Sequence, residues 1–255
     1  MRDHRTIGAR AGVDRQQLLA GRGHVDAFEI SEDGRHVVYL ADDETAGVFD
    51  LYVAPTQGGP ARRLDHRVGP GGAVWSFQVC GEGVVYRAQR SDVAPTELFT
   101  VGLAGGQPMR LHEELGVGCE IPGFATAPTG VIAFVIAGGP TRPDELHAVT
   151  VPRQQSRLLA RVRTGHRIDP DIQLSHDGAH AVYLADQRAA GRDELYGMPV
   201  DGGDPLRLNR EFAEEASVQE FRVSPDSARV LYITEDGTGT RQLWTASLPS
   251  RRLAG

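Results

Sequence analysis

Apolar and polar positions alternate along this chain in short runs, and the runs return at a fixed interval. The first set is Phe28-Glu29-Ile30, Val37-Val38-Tyr39, Asp50-Leu51-Tyr52 and Leu64. The second is Phe77-Gln78-Val79, Val84-Val85-Tyr86, Glu97-Leu98-Phe99 and Leu111. The third keeps Phe124, Val131 to Phe134, Glu145-Leu146-His147 and Leu159. The fourth has Ile172-Gln173-Leu174, Val182-Tyr183, Glu194-Leu195-Tyr196 and Leu208. The fifth has Phe221-Arg222-Val223, Val230-Leu231-Tyr232, Gln242-Leu243-Trp244 and Leu253. Alternation with a period of two marks a half-buried strand rather than a helix. Positions 28, 77, 124, 172 and 221 step by 49, 47, 48 and 49, and positions 52, 99, 147, 196 and 244 by 47, 48, 49 and 48. Two landmarks on one period identify an internal repeat.

Four short strands in about 48 residues predict one blade of a β-propeller. The expected fold is therefore all-β: five four-stranded blades over repeats of about 28–76, 77–123, 124–171, 172–220 and 221–253, with residues 1–12 as a tail. A single blade cannot bury both faces, so blades stack around an axis. Gly-Gly steps at 58–59, 105–106 and 202–203 read as hairpin tips. With Asp201-Gly202 as the two loop residues, Leu195 faces Leu208 and Tyr196 faces Arg207. The same register sets Leu51 against Leu64, Tyr52 against Arg63, Leu98 against Leu111 and Phe99 against Arg110, which predicts cation–aromatic cross-strand pairs.

The turns carry a family resemblance. Ser31-Glu32-Asp33-Gly34, Ser175-His176-Asp177-Gly178 and Ser224-Pro225-Asp226-Ser227 resemble the Ser-Pro-Asp-Gly turn of TolB-like, WD40-like propeller repeats. Asp-Glu-Leu-Tyr at 193–196 and the Gly-Gly-x-x-x-x-Leu segments are similar to that family too. The resemblance covers about residues 28–253 and also extends to the propeller half of prolyl-oligopeptidase-like proteins. Repeats two and three depart from it at Cys80-Gly81-Glu82-Gly83 and Ala127-Pro128-Thr129-Gly130. What the resemblance implies is a propeller that binds protein or peptide at its ring face and channel.

Residues 13–20 echo residues 151–160, and Gly23-His24 echoes Gly165-His166. Residues 13–27 are thus expected to supply a strand closing the ring, in competition with a short helix over 14–20 capped by Asp14 and Gln17. Ser250 to Leu253 is a second candidate for the last outer strand. If both ends supply one, the spare edge is free to pair with another subunit or to continue a longer propeller.

Charge and composition narrow the function. The 255 residues carry 34 acidic and 27 basic side chains, for a formal net charge of −7. Every basic one is Arg. Nucleic acid is not an expected partner, because phosphate binding needs a concentrated basic surface. The longest apolar run, Val131 to Ala137, is too short to span a bilayer. No apolar stretch follows Met1 as a signal peptide would require, so the cytoplasm is the default compartment, and the periplasm or exterior if the start has been trimmed. Two cysteines, Cys80 and Cys119, exclude a disulfide framework.

No Gly-x-Ser-x-Gly, His-Glu-x-x-His or Cys-x-x-Cys is present, so neither a hydrolase elbow nor a metal site is expected, and no cofactor. His24 and His166 occupy similar repeat positions and read as solvated loop residues rather than shared metal ligands. Asp42-Asp43-Glu44 reads as a solvated loop. Asp33, Asp177 and Asp226 are expected to bond local backbone, since one active site does not need a copy per blade. If Phe28, Ile30 and their equivalents pack between sheets, then Glu29, Gln78, Gln173 and Arg222 face the other way and are the candidate channel ligands, with Ala125 as the small exception. The competing role for these side chains is hydrogen bonding between neighbouring blades. The leading expectation is a non-catalytic binding module for a protein, peptide or small polar ligand. The alternative is an accessory or gating propeller of a peptidase, or a glycan hydrolase or lyase acting at the channel mouth.

Overall fold

The computed structural model describes residues 23–65, 71–151, 156–211 and 216–249. The fold is all-β, with five antiparallel sheets in chain order. Blade 1 holds β1 (Val25–Ile30), β2 (His36–Thr45), β3 (Val48–Pro55) and β4 (Arg62–Arg63). Blade 2 holds β5 (Ala73–Cys80), β6 (Gly83–Gln89), β7 (Thr96–Gly102) and β8 (Met109–Arg110). Blade 3 holds β9 (Phe124–Thr126), β10 (Val131–Ile136), β11 (Glu145–Thr150) and β12 (Arg157–Arg161). Blade 4 holds β13 (Ile168–Leu174), β14 (His180–Ala185), β15 (Glu194–Pro199) and β16 (Leu206–Arg207). Blade 5 holds β17 (Ser217–Val223), β18 (Arg229–Glu235) and β19 (Arg241–Ser247), three strands among the described residues. No helix of the described residues is long and apolar enough to cross a membrane. The tail 1–12, most of the expected closing strand 13–27 and the candidate strand 250–253 lie outside the described residues, while residues 25–27 open β1.

The first strands of consecutive blades touch one another, which makes them the inner edge. Core lies between blades, as repeat stacking requires. Val38, Leu40, Leu51 and Val53 of blade 1 pack on Phe77, Tyr86 and Phe99 of blade 2. Val85 and Leu98 meet Phe124, Ile132 and Phe134. Val135 and Leu146 meet Ile172, Tyr183 and Tyr196. Val182, Leu184 and Leu195 meet Phe221, Val230 and Tyr232. Phe28 and Ile30 do not pack between sheets as their alternation predicts. Both are exposed, because no described blade precedes theirs. Leu231 and Leu243 are exposed on the far face of blade 5 for the mirror-image reason.

The hairpin register is the expected one: Tyr52 pairs with Arg63, Phe99 with Arg110 and Tyr196 with Arg207. Two details differ. The ladder stops after two residue pairs, leaving a wider tip than a two-residue turn. Pro60, Pro108 and Pro205 stand in these tips and have no N–H to extend the ladder. The arginines also turn away from the rings toward carboxylates in the partner strand, two residues before the aromatic position. Arg63 binds Asp50 at 2.6 Å, Arg110 binds Glu97 at 3.3 Å and Arg207 binds Glu194 at 3.1 Å. A charge-assisted bond to a carboxylate outweighs a cation–aromatic contact. The residue two places further along completes the motif: Asp65, His112 and Asn209 accept the backbone N–H of Leu51, Leu98 and Leu195.

Arg63 is shared by Asp50, Asp65 and Glu44, so it cannot offset the cost of burying Asp50. Burial pushes the Asp50 carboxyl up to about 6, against the smaller downward pull of Arg63. The folded chain therefore keeps a proton that the unfolded chain releases nearer pH 4. Stability from this group is fully present below about pH 4 and is lost as pH rises through about 6. Unfolding in urea across that window should show a downward slope worth about 1–2 kcal/mol, flattened by Asp50→Asn.

Candidate functional site at the inner edge

Each turn expected to bond its own backbone does so. Ser31 Oγ donates to Asp33, which accepts the Arg35 N–H; Ser175 with Asp177 and Ser224 with Asp226 repeat the pattern. Those hydrogen bonds hold the carboxyls of Asp33, Asp177 and Asp226 below the usual range. They are structural turns, in agreement with their recurrence.

The four candidate channel ligands separate into two groups. Glu29 accepts the Val79 N–H of the next blade at 2.7 Å. Gln78 accepts the N–H and hydroxyl of Thr126 at 2.9 and 3.0 Å. Gln173 accepts the Val223 N–H and donates to the Phe221 carbonyl, both at 2.9 Å. These three side chains tie each blade to its successor, and burial raises the Glu29 carboxyl despite the Val79 bond. Ala125, in the same place on blade 3, has nothing to reach with. Arg222 alone stays exposed; it donates to the Phe221 carbonyl at 2.7 Å and pairs with Glu220 at 3.0 Å.

Simple alternation misses what the inner strands do expose. Near its start, the first strand of four blades breaks register: by a one-residue β-bulge between Val25 and Ala27, Val74 and Ser76, and Val218 and Glu220, and by a wider irregularity with two extra residues between Ile168 and Ile172. A bulge adds an unpaired residue and re-aims its side chain. Asp26, Trp75, Asp171 and Gln219 are thereby exposed, and Trp75 keeps 56% of its surface open. The one visible signal was Pro170, a residue that a strand tolerates at a bulge. At the fourth and fifth blades the exposed groups interact. Burial raises the Asp171 carboxyl, Arg222 pulls it down, and Asp169 and Glu220 push it up. A side chain on Gly123 would collide with the Pro170 carbonyl, so blade 3 meets this region through bare backbone.

The bulges sit at the end where linkers enter each blade, and buried carboxylates secure those linkers. Asp42 accepts the N–H groups of His24 and Gly47, and Asp186 those of Arg167 and Gly191. Asp42 is therefore a buried fastening point, correcting its reading as a solvated loop residue. His24 is engaged through its backbone, and His166 Nδ1 lies 2.8 Å from the Asp186 carbonyl. No group of three potential metal ligands gathers among the described residues. At the opposite end, a cavity of about 670 Å3 opens where the turns of repeats two and three depart from the pattern, lined by Cys80, Glu82, Gln107, Met109, Pro128 and Thr129.

Sheet order, inter-blade core and inner-edge linkage define a propeller-like all-β protein. Solved structures share that architecture. A chain from work on two prolyl endopeptidases superposes with a TM-score of 0.66 at 15% identity, over 91% of this chain and 36% of its own. A putative TolB from Agrobacterium tumefaciens gives 0.52 at 13% identity, over 89% and 91%. Oligogalacturonate lyase from Vibrio parahaemolyticus gives 0.62 at 13% identity, over 86% and 60%. This chain thus spans about a third of the endopeptidase and three-fifths of the lyase. No family model matches the sequence, and no curated protein matches it.

Proposed function

We propose that this chain is a non-catalytic binding module that receives a peptide or protein segment across the inner-strand ends. One observation carries the reading. The recurring polar residues are consumed by turns and blade junctions, whereas the register breaks of four blades expose residues of differing chemistry: Asp26, Trp75, Pro170 with Asp171, and Gln219. Differing chemistry around an axis is what recognition of an asymmetric ligand needs, and function resides in such grafted sites rather than in the fold. Exposed acids beside an open Trp suit a segment bearing a basic and an apolar side chain, with Trp75 as the anchor. Arg222 keeps a part in this reading, and Glu29, Gln78 and Gln173 support it from behind.

The test is a random-peptide display selection against the wild-type chain, followed by affinity measurement of an enriched peptide. Trp75→Ala should weaken binding at least tenfold, and Asp171→Asn should weaken it with less salt dependence remaining. Enriched peptides that bind Trp75→Ala as well as wild type would remove the inner edge from the reading.

A second reading is an accessory propeller acting beside a catalytic partner. It is favoured by the likeness to endopeptidase chains nearly three times as long as the shared region. Purified chain that cleaves neither peptide nor glycan, but alters the rate of an added peptidase, would select it.

A further inference from the structure

Blade 3 breaks the arginine–carboxylate motif of blades 1, 2 and 4. Its outer strand carries a bulge, so Leu146 pairs with Ala160 while His147 pairs with Leu158. Leu158 therefore stands where the other blades set an arginine opposite an aromatic residue, and it is exposed. Arg161 slides along to pair with Glu145. The aromatic itself has become His147, whose ring stacks on Phe134 at 5.5 Å. Where the motif would close, a cavity of about 540 Å3 opens. That volume lies within the range of small-molecule sites.

The lining divides by chemistry. Leu115, Ile136 and Leu158 give an apolar wall. Glu113 and Glu114 are exposed acids at the margin. Arg142 faces the same space, with no hydrogen bond or ion pair among the described residues. Its guanidinium lies against Gly116, where any side chain would collide with it. His147 Nε2 lies 2.8 Å from Glu145 Oε2. Burial raises the Glu145 carboxyl, but hydrogen bonds from His147 and Arg161 outweigh it and hold the group ionised. The other ring nitrogen, Nδ1, is buried without a partner.

We propose that this cavity binds a free α-amino acid with an apolar side chain. Its carboxylate pairs with Arg142, its ammonium with the Glu113 and Glu114 side, and its side chain with Leu115, Ile136 and Leu158. Unpaired groups of both signs beside an apolar wall match a zwitterion better than an anion or a cation alone. The site is separate from the inner edge and does not rest on the peptide-binding reading.

Calorimetric titration with leucine, N-acetylleucine and leucinamide tests it. Leucine should bind, and each blocked compound should bind at least tenfold more weakly. Arg142→Gln should lose leucine binding at least tenfold. Leu158→Arg, which restores the arginine of the other blades opposite the aromatic position and places a long side chain in the cavity, should fold and lose binding, while Trp75→Ala should bind leucine unchanged. No heat from leucine at millimolar concentration with folded wild type overturns the proposal. So does equal affinity for the blocked compounds, or for Arg142→Gln.

Discussion

Phe221→Ala should destabilise the protein by about 3–5 kcal/mol, while Phe28→Ala, at the same position of another repeat, should cost less than about 0.5 kcal/mol. The two residues share a strand position, a side-chain type and a place opposite a tyrosine. They differ in whether a blade stands in front of them. Phe221 is 1% exposed, packed against Val182, Leu184 and Leu195 of blade 4, whereas Phe28 is 68% exposed. Removing Phe221 leaves a cavity between two sheets; removing Phe28 returns surface that is already in water. Urea unfolding of both variants measures the difference directly. Equal costs would mean that a blade-like face covers Phe28 in solution.

That contrast marks the boundary of what the residue pattern discloses on its own. The repeat and its hairpin register were legible, since Leu51, Leu98 and Leu195 recur with a partner Leu thirteen residues on. Such recurrence reflects packing that every blade shares. The turn aspartates were legible for the same reason. Position-specific departures were not. Phe28 reads like Phe221, because burial depends on a neighbour about fifty residues away. The bulge exposing Trp75 leaves no mark in a run such as Val74-Trp75-Ser76-Phe77, where one added residue reverses every later side chain. The slip of β12 that opens the blade-3 cavity is equally silent, although His147 among aromatic residues marks the place. Glu29, Gln78 and Gln173 illustrate the reverse case. Their recurrence at one repeat position, each with an acceptor oxygen, was the clue to a structural role.

Gln173→Leu should cost about 1–3 kcal/mol and act chiefly on blade 5. Gln173 uses both ends of its amide at the junction, accepting from the Val223 N–H and donating to the Phe221 carbonyl. Leucine keeps the volume but leaves the Val223 N–H at the blade 4–5 junction without its partner, while the Phe221 carbonyl keeps the Arg222 guanidinium, and an unsatisfied polar group costs more than a hydrogen bond is worth. Among the described blades, blade 5 shares a hydrophobic core with blade 4 alone, so its exposed far side offers nothing to compensate. Amide hydrogen exchange separates a local from a global effect. Protection should fall along β17 and β18 by about two orders of magnitude or more while β5 and β6 in blade 2 hold theirs, because stacked repeats fray from their ends. The same change at Gln78 loosens an interior junction held from both sides, so its loss should appear as a uniform fall in protection rather than as fraying. If Gln173→Leu lowered protection evenly across all five blades, the chain would unfold as a single unit, and the terminal blade would owe its order to a contact beyond blade 4.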